Sequence, residues 1–143
     1  MKILVPVDGS RHSIEALKIA IDYAKTKGAD VHLINVVSLY TNIDLEISAS
    51  ARERLSEKMS RQGESIIEHS NNILISEGVL SVKKNIVLSA SVHDAIIDYA
   101  ETEGIDLIII GSRGLSPSTR FKLGSVASMV VRNAPCSVYV VKD

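Results

Sequence analysis

Cysteine is nearly absent: Cys136 stands alone among 143 residues, so no intrachain disulfide can form and an intracellular setting is expected. It lies in the apolar run CSVYVV, a setting for a buried, inert thiol rather than a nucleophile. An excess of one charge is also missing. Sixteen Lys and Arg oppose seventeen Asp and Glu, a net charge of −1, so no overall field draws DNA, RNA or an acidic membrane surface. Long apolar runs are lacking too. The opening MKILVPVD is broken by Pro6 and Asp8, too short for the apolar region of a signal peptide, and no later run approaches membrane-spanning length. The expectation is a cytoplasmic protein with no nucleic-acid and no membrane partner. A Pro/Gly/Ser-rich linker and low-complexity tracts are likewise absent, and the length suits one domain, residues 1–143.

What is present alternates. KILVPV reads as a strand and SIEALKIAIDYAKTKG as a helix, with Ile14, Leu17, Ala20 and Ile21 on one face and Gly28 at its end. DVHLINVV is a second strand. A loop from about Ser38 to Ser48 leads to a long polar helix from near Ser50 to Gly78. Its stripe is Leu55, Met59, Ile66, Ile67, Ile73 and Leu74, with Gly63 expected as a weak point inside it. VKKNIVL, HDAIIDYAETEG and DLIIIGS continue as strand, helix, strand. A last helix begins near Ser125 and stops before Pro135, and CSVYVVKD is a fifth strand. Strand–helix alternation with continuously apolar strands predicts an α/β domain, its mostly parallel sheet covered on both faces.

An internal echo supports this. IDYAKTKGADVHLI (Ile21–Ile34) and IDYAETEGIDLIII (Ile97–Ile110) align without a gap, each ending a helix with glycine and launching a strand with aspartate. Two equivalent αβ turns explain the echo, as does duplication of a βα unit. Ile34 and Ile110 then occupy equivalent carboxyl ends of strands, where ligands bind in open parallel sheets.

The stretch GSRGLSPSTRFKLGS, Gly111–Ser125, leaves one of those ends. Gly111 and Gly114 are expected to take positive φ and to let a ligand approach the backbone. Gly124 and Ser125 open a helix whose first amides, with the Ser125 hydroxyl, form a phosphate cradle. Arg113, Arg120 and Lys122 add positive charge. The bland alternative is a tight strand exit and a capped helix, which each residue favours singly. The cluster favours phosphate. Its spacing matches neither a P-loop, which needs Lys-Ser/Thr directly after the second glycine, nor a dinucleotide fingerprint, since Gly9 stands alone after the first strand.

Gly111-x2-Gly114-x9-Gly124-Ser125 resembles the ATP-binding signature of the universal stress protein family. ILVPVDGS, DLIIIGSRG and APCSVYVVK resemble that family's first, fourth and last strands, so the likeness spans the chain. The resemblance implies a doubly wound domain with a five-stranded parallel sheet, order 3-2-1-4-5, and ATP lying across the ends of strands one and four. It implies Asp8 at the ribose or adenine, with Pro6 and Val7 beside it, and Val36 walling the adenine. Ile110 and Gly111 would line base and sugar. Gly114, Gly124, Ser125 and Val126 would hold the phosphates, with Arg113 near and Mg²⁺ or Mn²⁺ accompanying them. It further implies a homodimer through the last strand. Where the family often carries Gly and Pro after its third strand, this chain has Ala90 and Val92, a region expected to shape the sheet edge.

Catalytic residues are not expected. Asp8, Ser10 and His12 crowd one turn without a nucleophile elbow or an oxyanion arrangement, so a triad is rejected; Ser10 is read as a helix cap. His12, His32, His69 and His93 lack zinc-site spacing, and His32 is expected to be packed or exposed rather than a ligand. Ser116, Ser118 and Thr119 are read as ordinary loop residues. An ATP-binding regulatory stress protein is the leading reading. A slow ATPase or phosphotransfer enzyme is weaker, because no carboxylate in the loop can serve as base. A nucleotide-free dimeric interaction protein is weakened by the complete glycine motif.

Overall fold

The computed structural model describes residues 1–38, 48–114 and 123–142. Its order is β1 (Lys2–Pro6), α1 (Arg11–Lys27), β2 (Asp30–Ser38), α2 (Ala49–Ser76), β3 (Val82–Ser89), α3 (Val92–Glu103), β4 (Leu107–Gly111), α4 (Ser125–Asn133) and β5 (Ser137–Val141). All strand pairs are parallel, and the five strands run β3-β2-β1-β4-β5. This is the α/β architecture and strand order expected from the sequence.

The central strands β1 and β4 read as continuous apolar runs because both faces are covered, whereas the edge strands β3 and β5 are partly exposed. On one face Ile3, Val5, Val31, Leu33 and Ile109 pack against Leu17, Ala20, Ile67 and Leu74 of α1 and α2. On the other, Leu4, Ile34, Ile108 and Ile110 pack against Ile96, Ala100, Ala127 and Val130 of α3 and α4. Ile3, Leu4, Leu33, Ile34, Ile108 and Ile109 are fully buried, each contributing roughly 1.5–3 kcal/mol.

The internal echo has a structural counterpart on either side of β1. Helices α1 and α3 both end at a left-handed glycine, Gly28 (φ 65°) and Gly104 (φ 64°). The aspartate that follows each glycine then docks on the start of β1: Asp30 N–H donates to the Met1 carbonyl at 3.0 Å, and Asp106 N–H to that of Lys2 at 2.9 Å.

Gly63, expected as a weak point in α2, has a packing reason to be glycine. It is buried in the helix's contact with β2, where a Cβ would lie only 2.6 Å from Asn35 Oδ1. The polar outer half of the predicted stripe is shallower than expected, since Leu55 and Met59 are only half-buried.

Candidate functional site

Strand order reverses between β1 and β4, which lie side by side although β2 and β3 come between them in sequence. At such a switch point the connections from the strands' carboxyl ends leave to opposite faces, and a crevice opens between them. Here the crevice is a cavity of about 650 Å³. Pro6, Val7, Asp8, Val36, Ile110, Gly111, Arg113, Gly114, Gly124, Ser125 and Val126, every candidate residue from the sequence, line it. Arg120 and Lys122 lie outside the described residues, as do Ser116, Pro117, Ser118, Thr119 and Phe121.

The β1 exit is built first. Ser10 caps α1, its hydroxyl accepting the Ser13 N–H at 3.2 Å, as expected of it. Asp8 Oδ1 accepts the Ser10 N–H at 2.9 Å, which holds the carboxylate at the mouth of the turn. Its other oxygen, Oδ2, lies close over the β4 exit: a Cβ on Gly114 would stand 2.7 Å from it.

The glycines of the motif are therefore explained differently from their first reading. Among the described residues only Gly9, Gly28, Gly78 and Gly104 have positive φ; Gly111 and Gly114 do not. What they provide is space. A Cβ on Gly111 would meet His12 Cβ at 2.7 Å and the His12 backbone at 2.9 Å, so this glycine lets the first turn of α1 cross the end of β4. Gly114 accommodates Asp8, and Gly124 accommodates the Ser112 carbonyl, 3.2 Å from its virtual Cβ. Gly124 N–H donates to that carbonyl at 2.6 Å, joining the two ends of the segment between them.

Helix α4 starts at this junction. Gly124 is its N-cap and supplies no side-chain cap; the first intrahelical bond runs from Ser128 N–H to the Gly124 carbonyl at 2.9 Å. The amides of Ser125, Val126 and Ala127 are thus the orphan donors of this helix, at its electropositive end and on the cavity lining. The opposite side of the cavity is apolar, formed by Ile34, Val36, Val92 and Ile96. Val92 opens α3 there, so the position where the family often has proline helps to line the cavity rather than merely shape the sheet edge.

Asn35, Val92, Ile96, Ser112 and Leu123 also line the cavity. Asn35 directly follows the strand end at Ile34, Ser112 lies in the stretch after Ile110, and Val92 stands where the family often has proline, so these three were in view from the sequence without a binding role. Asn35 carried a signal, a carboxamide inside an apolar strand. Ile96 and Leu123 carried none, because their place follows from helix docking. The remaining singled-out side chains lie elsewhere. His32 is buried beneath α3, with Nδ1 2.7 Å from the Tyr99 hydroxyl, and burial followed by Lys83 lowers its pKa. Cys136 is half-buried, and burial raises its pKa above the ordinary thiol value, consistent with an inert thiol.

Comparison with known proteins agrees with this fold. Residues 1–142 match the model of the universal stress protein family. Universal stress protein MJ0531 of Methanocaldococcus jannaschii is 36% identical over 141 residues, covering 99% of this chain and 81% of its own. The structure of universal stress protein UspA from Lactobacillus plantarum superimposes with a TM-score of 0.86 at 25% identity, over 99% of this chain and 97% of that one. Three more structures share the fold at TM-scores of 0.72–0.73 and 19–23% identity, over 99% of this chain and 91–98% of theirs. They are a universal stress protein in complex with cAMP, one from Arabidopsis thaliana with AMP and one from Archaeoglobus fulgidus with dAMP. The chain belongs to the universal stress protein family.

Proposed function

We propose that this protein is an ATP-binding regulatory module of the stress response, its nucleotide seated in the crevice between the ends of β1 and β4. One observation carries the reading. The uncapped N-terminus of α4, the Asp8 carboxylate and an apolar wall all line the same cavity, and its volume of about 650 Å³ suits a small ligand. The three surfaces match the three parts of an adenine nucleotide. Val36, Val92 and Ile96 take the base, with Ile110 and Gly111 between base and sugar. Asp8 accepts hydrogen bonds from the ribose, with Pro6 and Val7 beside it. Gly114, Gly124, Ser125 and Val126 hold the phosphates through amides and one hydroxyl, and Arg113 adds charge. Family members crystallised with AMP, dAMP and cAMP support the choice of adenine.

Among the described residues no three His, Cys, Asp or Glu side chains are grouped to hold a metal ion. That suits a hard cation such as Mg²⁺, which keeps several waters and is bound largely through phosphates. Here the Ser125 hydroxyl is one protein oxygen available at the phosphate end, and the cation would neutralise charge on the nucleotide.

The test begins with protein purified natively, denatured and assayed for released nucleotide; the stripped protein is then titrated with ATP and Mg²⁺. Adenine nucleotide in either arm supports the reading, and absence from both overturns it in favour of a nucleotide-free interaction protein. Gly124→Val is expected to abolish binding, because its side chain crowds the Ser112 carbonyl and the phosphate approach together.

A further inference from the structure

We infer that Asn35 is a positioning residue for Asp8, and that Gly63 is the gap in α2 through which this positioning is kept in register. The inference rests on the nucleotide reading above and adds to it a group from outside the family signature. Asn35 belongs to β2 and is buried, 6% exposed, on the sheet face that carries Leu33 and Val37. A carboxamide there needs partners, and it has one with a purpose: Nδ2 donates to the Val7 carbonyl at 2.8 Å.

That carbonyl lies one residue past the end of β1. Val7 N–H still makes a sheet-like bond, to the Ile34 carbonyl at 2.9 Å, but its C=O depends on Asn35. The peptide unit is planar, so holding the Val7 carbonyl also holds the N–H and Cα of Asp8. On its other side Asp8 is fixed through Oδ1 by the Ser10 N–H at 2.9 Å. The carboxylate is therefore clamped from both sides, by Asn35 behind and by the cap of α1 in front.

Gly63 completes the device. A Cβ at this position would stand 2.6 Å from Asn35 Oδ1 and 3.4 Å from Val37 Cγ2. Asn35 cannot turn its amide away from such an atom without giving up the Val7 bond. A glycine midway along a 28-residue helix lowers helix stability, and its contact with Asn35 gives the reason for keeping it.

The experiment measures the affinities of ATP and 2′-deoxy-ATP by calorimetry, in parallel with circular dichroism to confirm the fold. Wild type is expected to prefer the ribonucleotide, and Asp8→Ala to erase that preference. Asn35→Ala and Gly63→Ala should each reduce the ATP/deoxy-ATP preference toward unity and weaken ATP binding about tenfold, the loss of roughly one hydrogen bond. The double variant Gly63→Ala/Asn35→Ala relieves the clash but not the missing bond, so the preference should stay lost; its return would reduce Asn35 to a packing role and overturn the inference. An unchanged preference in both single variants, with Asp8→Ala still erasing it, overturns the inference and leaves the nucleotide reading standing. Wild type that binds neither nucleotide overturns both.

Discussion

Gly111 and Gly114 stand three residues apart in one motif, yet what a methyl group would strike differs between them. At Gly111 the obstacle is the backbone of His12, 2.9 Å from the virtual Cβ, and backbone at the start of a helix cannot give way cheaply. At Gly114 the obstacle is a carboxylate oxygen of Asp8, the far end of a half-buried side chain. Gly111→Ala is therefore expected to destabilise the fold by about 1–3 kcal/mol, the range for overpacking a tight contact. Gly114→Ala should leave stability almost unchanged while weakening nucleotide binding, because Asp8 must move. Urea unfolding midpoints and ATP titrations on the two variants separate these outcomes; equal stability losses would count against the distinction. Sequence alone identified both glycines but gave them the same pair of reasons, access to positive φ and room for a ligand beside the backbone, since a one-dimensional string does not say which atom the absent Cβ would meet. The role of Asn35, at a strand end the sequence pointed to, was hidden for the same reason: its partner is a carbonyl, and carbonyls carry no sequence signal.

Elements were far more legible than contacts. Apolar strand runs, glycine stops and an alternating order predicted all nine elements to within a few residues, and burial on both faces explains the continuous apolar runs of the central strands. A polar cluster joining β2, β3 and α3 was not legible. The Asn85 side chain donates to the Tyr99 hydroxyl at 2.8 Å and to the Leu33 carbonyl at 3.2 Å. The Tyr99 hydroxyl also shares a hydrogen bond with His32 Nδ1, 2.7 Å away, whose direction follows the imidazole tautomer. The surroundings of His32 are mixed: Lys83 of β3 and Lys2 of β1 oppose protonation, whereas Glu103 of α3 and Asp30 of β2 favour it. Burial is the largest influence and sets the sign, so the pKa falls below its ordinary 6.5. With the folded value below the unfolded one, the unfolded chain binds the proton first. Stability is then full above about pH 6.5 and declines as pH falls through that value toward the folded pKa. His32→Asn keeps an acceptor near Tyr99 but does not titrate, so it should flatten this acid limb of the urea midpoint against pH. A limb of unchanged slope would assign the acid sensitivity to other groups.

Among the described residues neither edge strand, β3 or β5, has a second partner, and the two edges differ in charge. β3 exposes Ile86 and Leu88 but also presents Lys83 and Lys84, and charged side chains on an edge strand disfavour pairing with another chain. β5, SVYVV, has no charged residue, and Tyr139 on it and Val131 on α4 are 40% and 48% exposed. An apolar, uncharged edge of this kind favours a second copy, and we propose that the protein is a homodimer joined through β5. Covering that strand leaves the nucleotide cavity accessible, because none of the cavity lining comes from β5. The expected result is a single dimeric species in sedimentation velocity at micromolar concentration. Tyr139→Lys should shift it toward monomer, since two copies then bring like charges together where an apolar contact stood. ATP affinity should be unaltered in that variant, whereas Lys83→Ala should leave the dimer intact. A wild type that sediments as a stable monomer would overturn the pairing through β5.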